Sequence, residues 1–286
     1  MEIFQSPEEM HGWARTQALS GTTISLVPTM GYFHEGHLSL MRLAAQQGDR
    51  VVVSHFVNPT QFGPNEDLDR YPRDFERDMT LVRQENVAAV FAPTPALMYP
   101  QGFQTQVAVS NLATHLCGRS RPSHFAGVTT VVSKLFNIIQ PDVAVFGEKD
   151  FQQLAIIRRM VRDLNIPVRI VSHPIVREAD GLAMSSRNAN LDPANRAAAL
   201  SLSTALRLAR ERVIQGVTSV AELTQILEAH ILSFSGTEID YVSFVDFETL
   251  EPMTAADART VLALAVRVDG KVRLIDNGYV IPPTTA

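Results

Sequence analysis

The sequence predicts an α/β protein. A doubly wound, Rossmann-like parallel-sheet domain over residues 1–175 precedes a smaller α+β domain over residues 176–286 that carries an antiparallel sheet. Three observations predict this. Short apolar runs at 24–28, 51–56, 88–91, 143–146 and 168–171 alternate with amphipathic helical patterns. Strands apolar on both faces need cover on both faces, which is the setting of a parallel sheet between helix layers. After Pro174 the order changes to two helical patterns and then three strand-like runs, the last two joined by the hairpin signal Asp269-Gly270. Finally, 286 residues at roughly 150 per domain give two domains.

Ser6-Pro7-Glu8-Glu9 is a capping box with proline at the first helical position, and Gly21 stops that helix. Strand 24–28 follows. The pattern from about His37 to Gln47 puts Leu40, Met41 and Ala44 on one helix face, with Gly48 as its stop, and leads to strand 51–56. A helix near 74–85 leads to strand 88–91, one near 127–139 to strand 143–146, and one near 151–165 to strand 168–171. In the second part Asp180-Gly181 marks a turn before helices near 193–215 and 219–234, where Ser219 and Glu222 repeat the capping-box signal. Strand-like runs at 239–245, 261–268 and 272–275 complete the chain, and no repeat, low-complexity tract or long linker interrupts it. In doubly wound sheets the ligand sits beyond the carboxyl ends of the strands, so chemistry is expected in the loops that follow strands.

Composition excludes several function classes. Lysine plus arginine is 25 against 30 aspartates and glutamates, a net charge of −5, which argues against a nucleic-acid binder while leaving room for a small anionic ligand. The single cysteine, Cys117, allows neither a disulfide framework nor a multi-cysteine zinc site and reads as a small buried hydrophobe. Met1-Glu2-Ile3-Phe4 lacks the basic start and apolar core of a signal peptide. No apolar stretch approaches the length of about 18 residues that a membrane span needs. The expectation is a soluble cytoplasmic protein, without membrane or nucleic-acid partners.

The loop Pro28-Thr29-Met30-Gly31-Tyr32-Phe33-His34-Glu35-Gly36-His37 stands where the first long strand turns into its helix. Gly31 and Gly36 let backbone approach a ligand, and a helix N-terminus offers free N–H groups to an anion. His34 and His37, three apart, face the same way once helical and suit phosphate oxygens; the plainer readings are surface solvation or a metal pair. Glu35 is expected to face solvent. After the second strand, Asn58 and Gln61 offer neutral hydrogen-bonding groups beside the apolar Phe56, Val57 and Phe62. That mixture suits a hydroxylated hydrocarbon substrate, or forms an Asn-Pro turn with a pendant glutamine. In Phe146-Gly147-Glu148-Lys149-Asp150-Phe151-Gln152-Gln153, Gly147 supplies a close turn, and Lys149 places a cation at a helix start, where the helix dipole disfavours it. That misfit points to phosphate, unless Lys149 pairs with Glu148 or Asp150. Gln153 follows one turn later. Met184-Ser185-Ser186-Arg187-Asn188 offers hydroxyls and a guanidinium that clamp phosphate, or a solvated loop. Neither G-x-G-x-x-G nor G-x-x-x-x-G-K-[ST] occurs, which argues against a common dinucleotide site and a P-loop NTPase.

Together with Asp67-Leu68-Asp69-Arg70-Tyr71-Pro72-Arg73, His124-Phe125-Ala126-Gly127-Val128 and Arg273-Leu274-Ile275-Asp276-Asn277, these blocks resemble the pantoate–β-alanine ligase family of the nucleotidyltransferase superfamily, in the family's order from residue 24 to 277. The resemblance implies ATP-dependent condensation of pantoate with β-alanine to pantothenate through pantoyl adenylate, releasing pyrophosphate and AMP. It implies ATP contacts at Met30, Gly31, Tyr32, Phe33, His34, Glu35, Gly36 and His37, at Gly147, Glu148, Lys149 and Asp150, and at Val176, Met184, Ser185, Ser186 and Arg187. His34, His37 and Lys149 take the catalytic positions, with His37 as proton donor. Gln61 and Gln153 match the pantoate ligands, Gln61 also lying near β-alanine. Magnesium is expected on the β- and γ-phosphates with no protein ligand assigned, and a homodimer is expected. Tyr32-Phe33 is bulkier than the family's usual pair, and His55 stands where an aliphatic residue is usual. The rival readings are a plain nucleotidyltransferase, against which the Gln61/Gln153 pair speaks, and an idle nucleotide-binding regulator, which His37 and Lys149 disfavour.

Overall fold

A computed structural model of the chain describes residues 1–64 and 66–282; positions 283–286 of the expected second domain lie outside the described residues. The chain separates into two compact units, one of Met1–Glu148 with Gln153–Pro174, the other of Lys149–Gln152 with the chain from Ile175 on.

The first unit runs β1 (Glu2–Phe4), α1 (Pro7–Leu19), β2 (Ile24–Thr29), α2 (Glu35–Ala45), β3 (Arg50–His55), α3 (Phe75–Val82), β4 (Val87–Phe91), α4 (Pro95–Met98), α5 (Cys117–Ser120), α6 (His124–Ile139), β5 (Val143–Gly147), most of α7 (Phe151–Asp163) and β6 (Arg169–His173). The strands form a parallel sheet in the order β1-β4-β3-β2-β5-β6. Successive strand side chains leave by opposite faces. Ile24, Leu26, Val52, Ala89 and Ala144 pack with residues of α1, α6 and α7, whereas Val27, Val51, Val53, Val90 and Val145 pack with residues of α2 and α3. Covering both faces in this way is what selects strands without polar alternation.

Sequence and structure agree on each long strand. Ser6 caps α1 as expected, its hydroxyl accepting from the Glu8 and Glu9 N–H groups. Two differences have local causes. β1 was not expected: three residues are too few to show a pattern, and the strand is held at the sheet edge by its parallel register with β4. α2 begins at Glu35 rather than near His37, because its N-cap is His34, outside the residue types that usually mark a helix start.

In the second unit α8 (Arg196–Ile214) and α9 (Val220–Leu232) pack on an antiparallel sheet β7-β8-β9, formed by Thr237–Asp246, Thr260–Val268 and Val272–Tyr279. Ala198, Leu202, Ala205, Leu206 and Ala209 of α8 bury a helical stripe with Leu223, Leu227 and Ile231 of α9 against Leu262, Leu264 and Val266 of β8. Asp269 and Gly270 take positive φ in the β8–β9 hairpin, the backbone that the Asp-Gly signal demands.

Candidate active site

Three neighbouring strands of the first unit deliver the site. β2 lies between β3 and β5, all parallel, so their carboxyl ends meet at one edge. The chain winds from β2 through β3 to β4 on one side, then returns to place β5 on the other side of β2. A crevice opens at such a reversal. The 30–37 loop leaves β2, Gln61 follows β3 and Gln153 follows β5.

The 30–37 loop is fixed from below. Gly31 and Tyr32 take left-handed φ values of +80° and +52°, turning successive N–H groups to one side. A Cβ on Gly31 would lie 2.4 Å from His55 Nε2, so glycine is required there sterically as well. The fully buried Asp78 of α3 accepts the Tyr32 N–H at 2.6 Å, the Phe33 N–H at 2.7 Å and the His55 ring at 2.9 Å. The unusual residues thereby gain reasons. Phe33 is buried, its ring 5.4 Å from that of His37 and 5.5 Å from that of His55. Tyr32 lies beneath the Arg77 guanidinium at 5.2 Å.

Beyond Phe33 the chain enters α2. The His34 and His37 rings stack with centroids 4.1 Å apart, the shared direction that their spacing predicts. The His34 N–H donates to His37 Nδ1 at 3.4 Å. An Nδ1 that accepts leaves the proton of the neutral ring on Nε2, so His37 presents an N–H donor on its other side. Glu35 faces outward in a surface cluster with Arg42, which also pairs with Glu85. Gly36 lies in the first turn, where backbone N–H groups have no helical partner.

Gln61 sits buried in a short 3-10 turn. Asn58 organises it: its amide donates to Gln61 Oε1 and to the Gly127 carbonyl, both at 3.1 Å. Asn58 Oδ1 accepts from Thr60 Oγ1 at 2.9 Å and from the Tyr99 hydroxyl at 2.7 Å. Burial pushes the Tyr99 phenol up, which keeps it a donor. With Oε1 held, Gln61 Nε2 points to Met30 Sδ at 3.1 Å, a weak acceptor. The Gln61 carbonyl accepts from His124 Nδ1 at 2.8 Å and from Arg121 at 3.3 Å. Gly127 completes the seat: a Cβ there would stand 2.4 Å from the Thr60 carbonyl oxygen. Gln153 is half-buried in the first turn of α7.

Gly147 ends β5. Its φ is not in the left-handed region, and a Cβ would meet nothing within 4 Å. Neither turn geometry nor packing calls for glycine there, so its effect is to leave open space beside the strand end. The Glu148 carboxylate accepts from Ser172 at 2.9 Å.

Lys149 and Asp150 group with the second unit, where the Asn277 amide donates to the Lys149 carbonyl at 2.8 Å. In the same unit residues 176–184 form a small hairpin. Met184 N–H donates to the Val176 carbonyl at 2.9 Å, and Arg177 pairs with Ala183. The structure thus brings Val176 and Met184 together. Ser185 then caps a 3-10 turn by accepting the Arg187 N–H, while Ser186 is buried. Asn188 ties that turn to the hairpin through Glu178 at 2.7 Å and the Ala183 carbonyl at 3.1 Å. The Asp276 carboxylate grips Arg177 with both oxygens, at 2.7 and 2.8 Å, and this hydrogen bonding holds the guanidinium pKa above its ordinary range.

Sequence reasoning missed Asp78 altogether, since a single aspartate in a helix carries no signal of its partners. It included Asp276, Asn277, His124 and Gly127 only as parts of motif blocks. Among the described residues no group of three or more His, Cys, Asp or Glu side chains is placed to hold a metal ion.

Residues 2–279 match the family model for pantoate-beta-alanine ligase. A pantothenate synthetase of Desulforapulum autotrophicum is 55% identical over 282 residues, covering 99% of both chains. Another, from Heliobacterium modesticaldum, is 56% identical over 97% of this chain and 98% of its own. The crystal structure of pantothenate synthetase from Thermus thermophilus matches with a TM-score of 0.93 at 45% identity, covering 99% of this chain and 100% of that one. Pantoate–β-alanine ligase from Francisella tularensis, complexed with beta-gamma ATP and beta-alanine, matches with a TM-score of 0.81 at 33% identity over 98% of each chain. With likeness of this extent in both sequence and fold, the chain belongs to the pantoate–β-alanine ligase family.

Proposed function

We propose that the protein condenses pantoate with β-alanine in two steps. A pantoate carboxylate oxygen attacks the α-phosphorus of ATP and pyrophosphate leaves. The β-alanine amine, deprotonated, then attacks the acyl carbon, the bond to AMP breaks, and pantothenate forms. The observation that carries this reading is the meeting of the 30–37 loop, Gln61 and Gln153 at three adjacent strand ends.

Each residue has a physical task. The first turn of α2 offers backbone N–H groups and the positive end of the helix dipole to phosphate. His34 lies at that end, and His37 Nε2–H donates to phosphate oxygens as charge grows on pyrophosphate. Met30 and Tyr32 wall the nucleotide, Gly31 and the buried Phe33 shape the loop from beneath, and Gly36 and Gly147 let the nucleotide approach backbone. Lys149 adds a point charge on the phosphates, flanked by Glu148 and Asp150. Val176, Met184, Ser185, Ser186 and Arg187 supply the remaining ATP contacts. Gln153 and Gln61 bind pantoate, with Gln61 also near β-alanine. The neutral amides suit hydroxyls, and Phe56 and Val57 suit the branched hydrocarbon.

ATP enters as its magnesium complex. Magnesium keeps waters and substrate phosphates among its ligands. The family resemblance supports a homodimer, consumption of ATP supports a cytoplasmic location, and a net charge of −5 supports the absence of nucleic acid from the partners. No helix among the described residues is long and apolar enough to cross a membrane.

Product analysis with ATP, pantoate and β-alanine, each omitted in turn, tests the proposal. Pantothenate and AMP in equal amounts are expected only with all three. Free accumulation of a nucleotidylated product with no response to β-alanine would instead identify a plain nucleotidyltransferase.

A further inference from the structure

The block at 273–277 has no role in the chemistry above, yet two of its residues hold segments that do. In β9 consecutive side chains leave by opposite faces, so adjacent residues can grip different partners. The Asp276 side chain is 2% exposed and holds Arg177 through two hydrogen bonds. Arg177 also donates to the Gly181 carbonyl at 3.0 Å, which spans the 176–184 hairpin from stem to turn. The next residue, Asn277, donates its backbone N–H to Asp276 Oδ1 and its side-chain amide to the Lys149 carbonyl, each at 2.8 Å. Gly278 then leaves room for Arg210: a Cβ there would stand 2.8 Å from its guanidinium. Arg210 in turn donates to the Tyr279 carbonyl at 2.9 Å.

We infer that Asp276 and Asn277 are positioning residues: one strand end fixes Lys149 through Asn277 and the Val176–Met184 pair through Asp276 and Arg177, setting both for the same nucleotide. Neither residue touches substrate. A fixed carbonyl at Lys149 restricts where its side chain starts, and a misplacement of about 1 Å of a positioning group can lower a rate by about a hundredfold. The inference rests on the reading that Lys149 and residues 176–187 meet ATP.

The test is pantoate-dependent exchange of pyrophosphate into ATP by the full-length protein, with thermal melting as the check on folding. Asn277→Ala is expected to lower the exchange kcat about ten- to a hundredfold, with the pantoate KM within about twofold of the parent. In a Lys149→Ala background the same change is expected to have no further effect, because its route through Lys149 is gone. A merely structural Asn277 would instead give losses that multiply, and that result overturns the inference. Asn277→Asp, nearly isosteric, reports the same loss if the alanine variant melts too low. Arg177→Lys keeps the charge but loses the two-pronged grip. It is expected to raise the ATP KM about tenfold and leave the pantoate KM unmoved; equal movement of both, or of neither, overturns the role of Asp276. Full activity of Lys149→Ala would overturn the underlying reading together with this inference. A slow Lys149→Ala beside an unimpaired Asn277→Ala would overturn the inference alone.

Discussion

Asp78 holds the Tyr32 backbone at 2.6 Å across 46 residues of sequence and, with the Phe33 N–H at 2.7 Å, fixes the turn that delivers His34 to the head of α2. The carboxylate is fully buried, and the His55 ring at 2.9 Å and the Arg77 guanidinium at 3.6 Å also converge on it. Asp78→Asn keeps one acceptor but turns an amide N–H toward a backbone donor. A buried donor left unsatisfied costs about 1–3 kcal/mol. Urea denaturation is expected to show a loss of that size, together with slower exchange of pyrophosphate into ATP; unchanged stability would mean that the loop holds its shape without Asp78.

Gly127 is expected to tolerate no side chain. Its Cβ would press on the Thr60 carbonyl oxygen at 2.4 Å and on the Gln61 nitrogen at 2.7 Å. Overpacking of this kind costs about 1–3 kcal/mol, and here the displaced backbone carries Gln61. Gly127→Ala is expected to raise the pantoate KM more than the ATP KM in steady-state titrations, and equal effects on both would place the strain elsewhere.

Gln61→Ala and Gln153→Ala are each expected to weaken pantoate use by about 1–3 kcal/mol for the lost partner, while ATP binding stays close to that of the parent. Steady-state titration of pantoate and calorimetric titration of ATP make the comparison. Matching losses for both ligands would make the glutamines supports of the crevice rather than readers of pantoate.

Acid weakens the second unit through Asp246. Burial pushes this carboxyl up, but the Arg259 hydrogen bond and the Thr249 and Glu248 N–H groups outweigh it and bring it from 3.8 down to about 2. A depressed folded-state value means that the unfolded chain takes up the proton first, so the stabilisation is present in full above the unfolded value and lost as pH falls through about 2. Melting curves between pH about 5 and 2 are expected to show a falling limb that Asp246→Asn flattens. An equally steep limb in the variant would assign the acid sensitivity to other carboxylates.

The strands were legible because burial on both sheet faces leaves an uninterrupted apolar signature, as at Val51, Val52 and Val53. The hairpin at Asp269-Gly270 was legible because few residues accept positive φ. The shared direction of His34 and His37 was legible because residues three apart at a helix start lie on one face. What stayed hidden depends on contacts between distant segments. The Asp78 side chain meets the 30–37 loop only once α3 packs on the sheet, and Asn277 reaches Lys149 across 128 positions. Local patterns hold no trace of either. His55 looked merely atypical until its hydrogen bond to Asp78 gave it a place.

In the proposed reaction the carboxylate of pantoate is activated by adenylation before any amine takes part. Isotope exchange between pyrophosphate and ATP tests this order most directly, with pantoate, magnesium and β-alanine each supplied or withheld. Exchange is expected to require pantoate and magnesium and to proceed without β-alanine. Exchange that appears only when β-alanine is present would contradict that order.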